Sequence, residues 1–149
     1  MALRIALLQL VAHGTDIEAN LRKGEKACRG AAAMDADIAL FPEMWSIGYT
    51  SCPVEAAHKE EWQGKETGRD GAFVTHFRRL AQELDMAIAL TYLERWPRSP
   101  RNSVSVIDRA GNTIMTYAKV HTCDFGMEAA YTPGEDFSVC DLNTPTMFS

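Results

Sequence analysis

Hydrophobic residues fall into two kinds of stretch along this chain: short continuous runs, and longer stripes at helical spacing. Leu3 to Leu10 is a run, with Ile5, Leu7 and Leu8 beside one Arg and one Gln, and predicts a buried strand. Thr15-Asp16-Ile17-Glu18 fits a capping box, with Thr15 as the cap and Glu18 reaching back to it. Ile17, Leu21, Gly24, Cys28 and Ala31 then recur at steps of four and three, the stripe of a helix laid on a sheet, ending near Met34-Asp35. Asp37 to Phe41 predicts a second strand, which Pro42 stops because it has no N–H to give a ladder. Periodicity is lost over 42–70, which holds Gly48, Pro53, Gly64, Gly68 and a charged stretch from His58 to Glu66. A loop this long in a compact domain is usually functional or disordered.

Asp70-Gly71 opens a second helix, with Phe73, Phe77, Leu80 and Leu84 on one stripe, and Met86 to Leu93 follows as a third strand. Asn102 to Ile107 and Thr113 to Tyr117 flank Asp108-Arg109-Ala110-Gly111-Asn112, a hairpin turn in which Gly111 supplies a positive φ. Residues 119–136 are irregular, Phe137 to Leu142 reads as a sixth strand, and Asn143 to Ser149 has no pattern. The order β-α-β-loop-α-β-β-β-loop-β points to an α/β layered domain with a mixed sheet. No repeat or domain boundary interrupts it, so residues 1–149 read as one domain.

Composition narrows the classes. The 149 residues are 46% hydrophobic, and 15 Lys+Arg against 20 Asp+Glu leave a net charge of −5. That acidity weighs against a nucleic-acid backbone binder, which must release many counterions. The longest apolar run falls far short of the roughly 18 residues that would suggest a membrane span. No basic segment followed by a long apolar stretch opens the chain, so a cytoplasmic location with reduced thiols is expected. Cys28, Cys52, Cys123 and Cys140 form no C-x-x-C pair, which gives a zinc site little support. Cys28, on the helix stripe, reads as core. His13 and His121 lack a second ligand at metal spacing and read as loop histidines. The first strand runs into Leu10-Val11-Ala12-His13-Gly14 and not into a glycine-rich phosphate loop, which disfavours a doubly wound nucleotide binder.

Charge stands where core strands end at two places. Glu43 follows the strand at Phe41-Pro42, at the carboxyl end, where ligand sites of α/β sheets form; its bland alternative is a solvated loop. Lys119 follows the hairpin's second strand, as an edge guard or as a fixed cation pointing into a site. Glu128, nine positions later, would alone read as a surface residue. Together the three lie at one predicted edge of the sheet. Two carboxylates and one ammonium there would leave one carboxylate biased toward holding a proton, which suits acid–base work. Trp45 and Tyr49, just after Glu43, either line a substrate pocket or pack under the long loop.

Four stretches now resemble a known family in order and spacing. Asp37-Ile38-Ala39-Leu40-Phe41-Pro42-Glu43, Tyr117-Ala118-Lys119-Val120-His121, Gly126-Met127-Glu128 and Tyr131-Thr132-Pro133-Gly134 look like the nitrilase superfamily of carbon–nitrogen hydrolases. Arg4-Ile5-Ala6-Leu7-Leu8-Gln9 resembles its first strand. The resemblance implies an α-β-β-α sandwich, of which this chain is the amino-terminal half, with subunits that pair. It implies Glu43 as general base, Lys119 as oxyanion stabiliser and Glu128 as an orienting carboxylate. It also implies a cysteine that attacks an amide, N-carbamoyl or nitrile carbon, with no metal or organic cofactor.

That cysteine is where the pattern departs. No Cys-Tyr-Asp or Cys-Phe-Asp elbow occurs, and Cys140, before Asp141-Leu142, follows Gly134 too soon to stand in for it. The sequence reading is therefore an incomplete amidase or N-carbamoyl hydrolase domain, inactive alone and a homo-oligomer at full length. The other reading is a non-catalytic interaction module that keeps the fold. A half-sandwich would leave a bare sheet face, and at about 25 cal/mol per Å² even a few hundred Å² of it drives association.

Overall fold

The computed structural model describes residues 2–123, 126 and 128–142. The elements run β1 (Ile5–Leu7), α1 (Ile17–Ala32), β2 (Ile38–Leu40), α2 (Ala56–Gln63), α3 (Ala72–Leu84), β3 (Ala87–Glu94), β4 (Arg101–Ile107) and β5 (Thr113–Ala118). The five strands form one mixed sheet in sequence order. β1, β2 and β3 pair in parallel, and the helices between them make the crossovers that parallel neighbours require. β3, β4 and β5 pair antiparallel through short connections.

One face of the sheet carries the main core. Ile88, Leu90 and Tyr92 of β3 and Ile107 of β4 pack with Cys28 and Ala31 of α1 and with Phe73, Phe77 and Leu80 of α3. Gly24 lets α1 approach closely. A Cβ there would fall 2.7 Å from Trp45 Nε1 and 2.9 Å from Phe41 Cε1. Alanine would add about 1 kcal/mol of helix propensity, but overpacking against two anchored rings costs about 1–3 kcal/mol. Gly24→Ala is expected to lower the midpoint of thermal unfolding; a rise would mean that α1 can slide.

Residues of the other parity face away from α1 and α3, and at the end of β3 Leu93 packs there with Trp62 of α2 and Tyr131. Ile38, Ala87 and Ala89 are buried there, with Leu40, Val104 and Leu142 packed against them. At the β1 edge Ile5 and Leu7 remain 50% and 66% exposed.

Three local readings change. Asp16, not Thr15, caps α1, its carboxylate accepting from Ala19 N at 2.9 Å. A carboxylate at a helix N-terminus has the dipole as well as the hydrogen bond in its favour. Glu18 pairs with Arg22 instead of closing a capping box. A helix, α2, forms inside the stretch read as loop, anchored by the buried Trp62, which stacks on Tyr131 at 5.7 Å. Phe137–Leu142 is not a strand: Phe137 and Val139 are 74% and 99% exposed and no ladder forms. A strand needs a neighbour to pair with, and here the chain leaves the end of β5 at Gly134, whose N–H donates to Lys119 O at 2.9 Å. Asn143 to Ser149, and Asp124, Phe125 and Met127 next to Glu128, lie outside the described residues.

Candidate active site

The turn after β2 is fastened to β3 at two points. Thr91 Oγ1 donates to the Pro42 carbonyl and accepts from Trp45 N at 3.1 Å. Ser46 Oγ accepts from Leu93 N at 3.0 Å. Between them Met44 adopts φ 58°, a left-handed conformation uncommon for a bulky side chain, and is fully buried. This turn sets Glu43 over the sheet face opposite α1 and α3, where Thr91 and Asn102 also lie.

Lys119 is placed from two sides. Its N–H donates to Asn102 O at 2.8 Å, continuing the β4–β5 ladder, and its carbonyl accepts from Gly134. Gly134 is obligatory at this contact, since a Cβ would stand 2.2 Å from Ala118 O. Glu128 is 0% exposed.

These groups meet. Lys119 Nζ donates to Glu43 Oε1 at 2.8 Å and to Glu128 Oε1 at 2.9 Å. Asn102 Nδ2 donates to the same two oxygens, at 2.6 Å and 3.0 Å. Cys123 N donates to Glu128 Oε2 at 2.8 Å. No hydrogen bond to Glu43 Oε2 occurs among the described residues. Beside the cluster lies a cavity of about 260 Å³ lined by Glu43, Thr91, Tyr117, Lys119 and the β4 segment Asn102-Ser103-Val104.

The electrostatics follow from this wiring. Burial works against ionisation of Glu128. The Cys123 N–H, the Lys119 ammonium and the Asn102 amide outweigh it, and hold the carboxyl below its ordinary range. Burial likewise works against the Lys119 ammonium, yet the two carboxylates raise its pKa well above the ordinary lysine value. The bias toward a protonated carboxylate expected from the sequence therefore does not apply to Glu128, which stays ionised because three donors reach it.

The two aromatic candidates separate. Tyr49 is 41% exposed, and its phenol is pushed up by burial and then by the charges of Glu128 and Glu43, so it stands near the cluster. Trp45 is 1% exposed, donates from Nε1 to Asn20 O at 3.1 Å and packs on Phe41 in the core. Asn102 and Thr91 were not among the sequence candidates. A signal existed for Asn102: the alternation of β4 puts it on the same face as Val104 and Val106, a polar group where apolar ones are expected.

No thiol of the four cysteines is a hydrogen-bond partner of Glu43 or Lys119 among the described residues. Cys28 is buried in the helix-side core, and burial pushes its thiol up to about 12. Cys123 serves the cluster through its backbone alone. A larger cavity, about 370 Å³, lies between Arg69, Trp96 and Arg101, but Glu135 and Asp136 on its wall offset the two guanidiniums.

Residues 4–142 match the carbon–nitrogen hydrolase family. The chain belongs to that family. It is 28% identical over 109 residues to an N-carbamoylputrescine amidase of Arabidopsis thaliana, an alignment covering 73% of this chain and 36% of that protein. It is 31% identical over 110 residues to an N-carbamoylputrescine amidase of Solanum lycopersicum, covering 73% of this chain and 35% of that protein. Its structure is similar to that of an amidase from Nesterenkonia sp., with a TM-score of 0.70 and 25% identity over 90% of this chain and 49% of that one. It is equally similar to a mutant of the amidase from Nesterenkonia sp. AN1 in complex with butyramide, with a TM-score of 0.70 and 25% identity over 90% of this chain and 49% of that one. The chain thus spans about half of the structures it matches and about a third of the plant relatives. The fold is α/β with a mixed sheet, as the sequence predicts.

Proposed function

We propose that this chain carries the acid–base and oxyanion-stabilising part of an amidase or N-carbamoyl hydrolase site. The observation that carries the reading is the convergence of Glu43, Lys119 and Glu128, each from a different part of the chain, beside one cavity. In this reading Glu43 takes a proton from a thiol nucleophile, Lys119 stabilises negative charge on the substrate oxygen, and Glu128 fixes the ammonium. The thiolate attacks the amide carbon, ammonia or an amine leaves, and water then hydrolyses the thioester. Tyr49 borders the substrate; Trp45 supports the turn that presents Glu43. The nucleophile lies outside residues 1–149. The open sheet face, with Ile5 and Leu7 exposed, favours assembly into an oligomer in a cytoplasmic enzyme.

The test is a fusion of residues 1–149 to the remaining half of the Nesterenkonia amidase, assayed for ammonia release from butyramide and from an N-carbamoyl amine. The fusion is expected to release ammonia and the chain alone to release none. A folded but silent fusion defeats the reading, and release by the chain alone places the nucleophile inside it. The second reading is a non-catalytic module, favoured by the absence of a thiol at Glu43 and Lys119 among the described residues. Co-purification with an intact family member, without any contribution to its turnover, would support it.

A further inference from the structure

The four groups of the cluster do not contribute equally to its geometry. Lys119 ends a flexible four-carbon stem, and its compact ammonium can swing between acceptors. Asn102 cannot move in that way. It is 6% exposed, opposite Leu93 in the β3–β4 register, and its own carbonyl accepts from Lys119 N at 2.8 Å.

We infer that Asn102 is a positioning residue: its side-chain amide ties Glu43 Oε1 to Glu128 Oε1 and so decides which oxygen of Glu43 and which proton of Lys119 are left for chemistry. The inference rests on the hydrolase reading above. Nδ2 bears two protons, and its two contacts, at 2.6 Å and 3.0 Å, use one for each carboxylate. The orientation of the amide is set by the same contacts, because two carboxylate acceptors require the nitrogen and not Oδ1 to face them. Lys119 Nζ bears three protons and places two on the same two oxygens. One N–H therefore remains for a substrate oxygen. Glu43 Oε1 is engaged twice, so Oε2 is the oxygen that receives a proton. Without Asn102, only Lys119 would hold Oε1. The carboxylate could then rotate, and the ammonium would be drawn between Glu43 and Glu128.

The test uses the 149-residue chain and nuclear magnetic resonance. In the native protein each Asn102 side-chain amide proton is expected to cross-relax with the γ-methylene protons of a different glutamate, Glu43 or Glu128. Asn102→Asp keeps the shape, removes the donor and adds a third carboxylate. It is expected to move the titration of the Glu128 carboxyl carbon upward by about one pH unit or more. Asn102→Leu, which removes the donor without adding charge, is expected to move it in the same direction by less. Cross-relaxation to one glutamate alone, or a Glu128 titration unmoved in both folded variants, overturns the inference. If neither variant folds, the native cross-relaxation pattern still decides it. A silent fusion in the ammonia assay would defeat the hydrolase reading and leave this measurement standing on its own.

Discussion

Glu43→Gln is expected to lower kcat of the fused enzyme by about 10²–10⁴-fold, the usual contribution of a general base. Its effect on stability is expected to be small. Glutamine keeps a carbonyl oxygen that can accept from Asn102 Nδ2 and Lys119 Nζ, so the cluster stays wired. What changes is the second position, where an amide nitrogen replaces Oε2 and cannot accept a proton. The Glu43 side chain is 46% exposed, so losing its charge costs about 0–1 kcal/mol, as for surface ion pairs. Ammonia release measured beside thermal unfolding separates the two effects. A variant with full turnover would move the base elsewhere, and one that unfolds would make Glu43 a structural residue.

Lys119→Met is expected to damage fold and chemistry together. It strips the cation from Glu128, whose side chain is 0% exposed and cannot recover its charge compensation from water. Breaking a fully buried pair in this way costs about 3–5 kcal/mol; with Lys119 one-third exposed, about 2 kcal/mol is expected. The pH dependence gives a second check. The folded-state pKa of Glu128 lies below its ordinary 4.5, so its stabilising contribution is present above that pH and fades as pH falls through the folded value. The gap between native and variant stability should therefore narrow below about pH 4.5, where Glu128 takes up a proton and no longer needs a counter-charge. At the alkaline end, the folded-state pKa of Lys119 lies above its ordinary 10.5, so its contribution is complete below that pH and fades only as pH rises through the higher folded value. Urea unfolding across pH measures the gap. A gap that is constant through the acid range would separate Lys119 from Glu128.

Much of this architecture was legible in the residues. The stripes at Ile17 to Ala31 and Phe73 to Leu84 became α1 and α3 because steps of three and four leave a single apolar side, which a sheet can bury. The run at Asp37 to Phe41 became β2 within the predicted bounds, and Met86 to Leu93 became β3, which extends one residue further, to Glu94. α2 escaped because it buries only Trp62 and lacks a side-chain cap, so neither stripe nor cap signals it. Phe137 to Leu142 misled in the opposite direction: its branched and aromatic residues suit a strand, but strand formation depends on a pairing partner that a one-dimensional pattern does not reveal. The grouping of Glu43, Lys119 and Glu128 was legible only as a joint inference from strand ends, since each residue alone had a duller reading. The part played by Asn102 depends on one amide standing between two carboxylates that lie 59 and 26 positions away in the chain. That is a property of the register and not of any local motif.

The opposite duties of the sheet's two sides imply a characteristic mutational signature along β4. Ser103, Ser105 and Ile107 share their side with the helix-packed core, while Asn102, Val104 and Val106 share theirs with the cavity and the charged cluster. In a saturation scan of this strand, tolerance should alternate residue by residue: one interleaved series would register in protein abundance, the other in turnover per folded molecule.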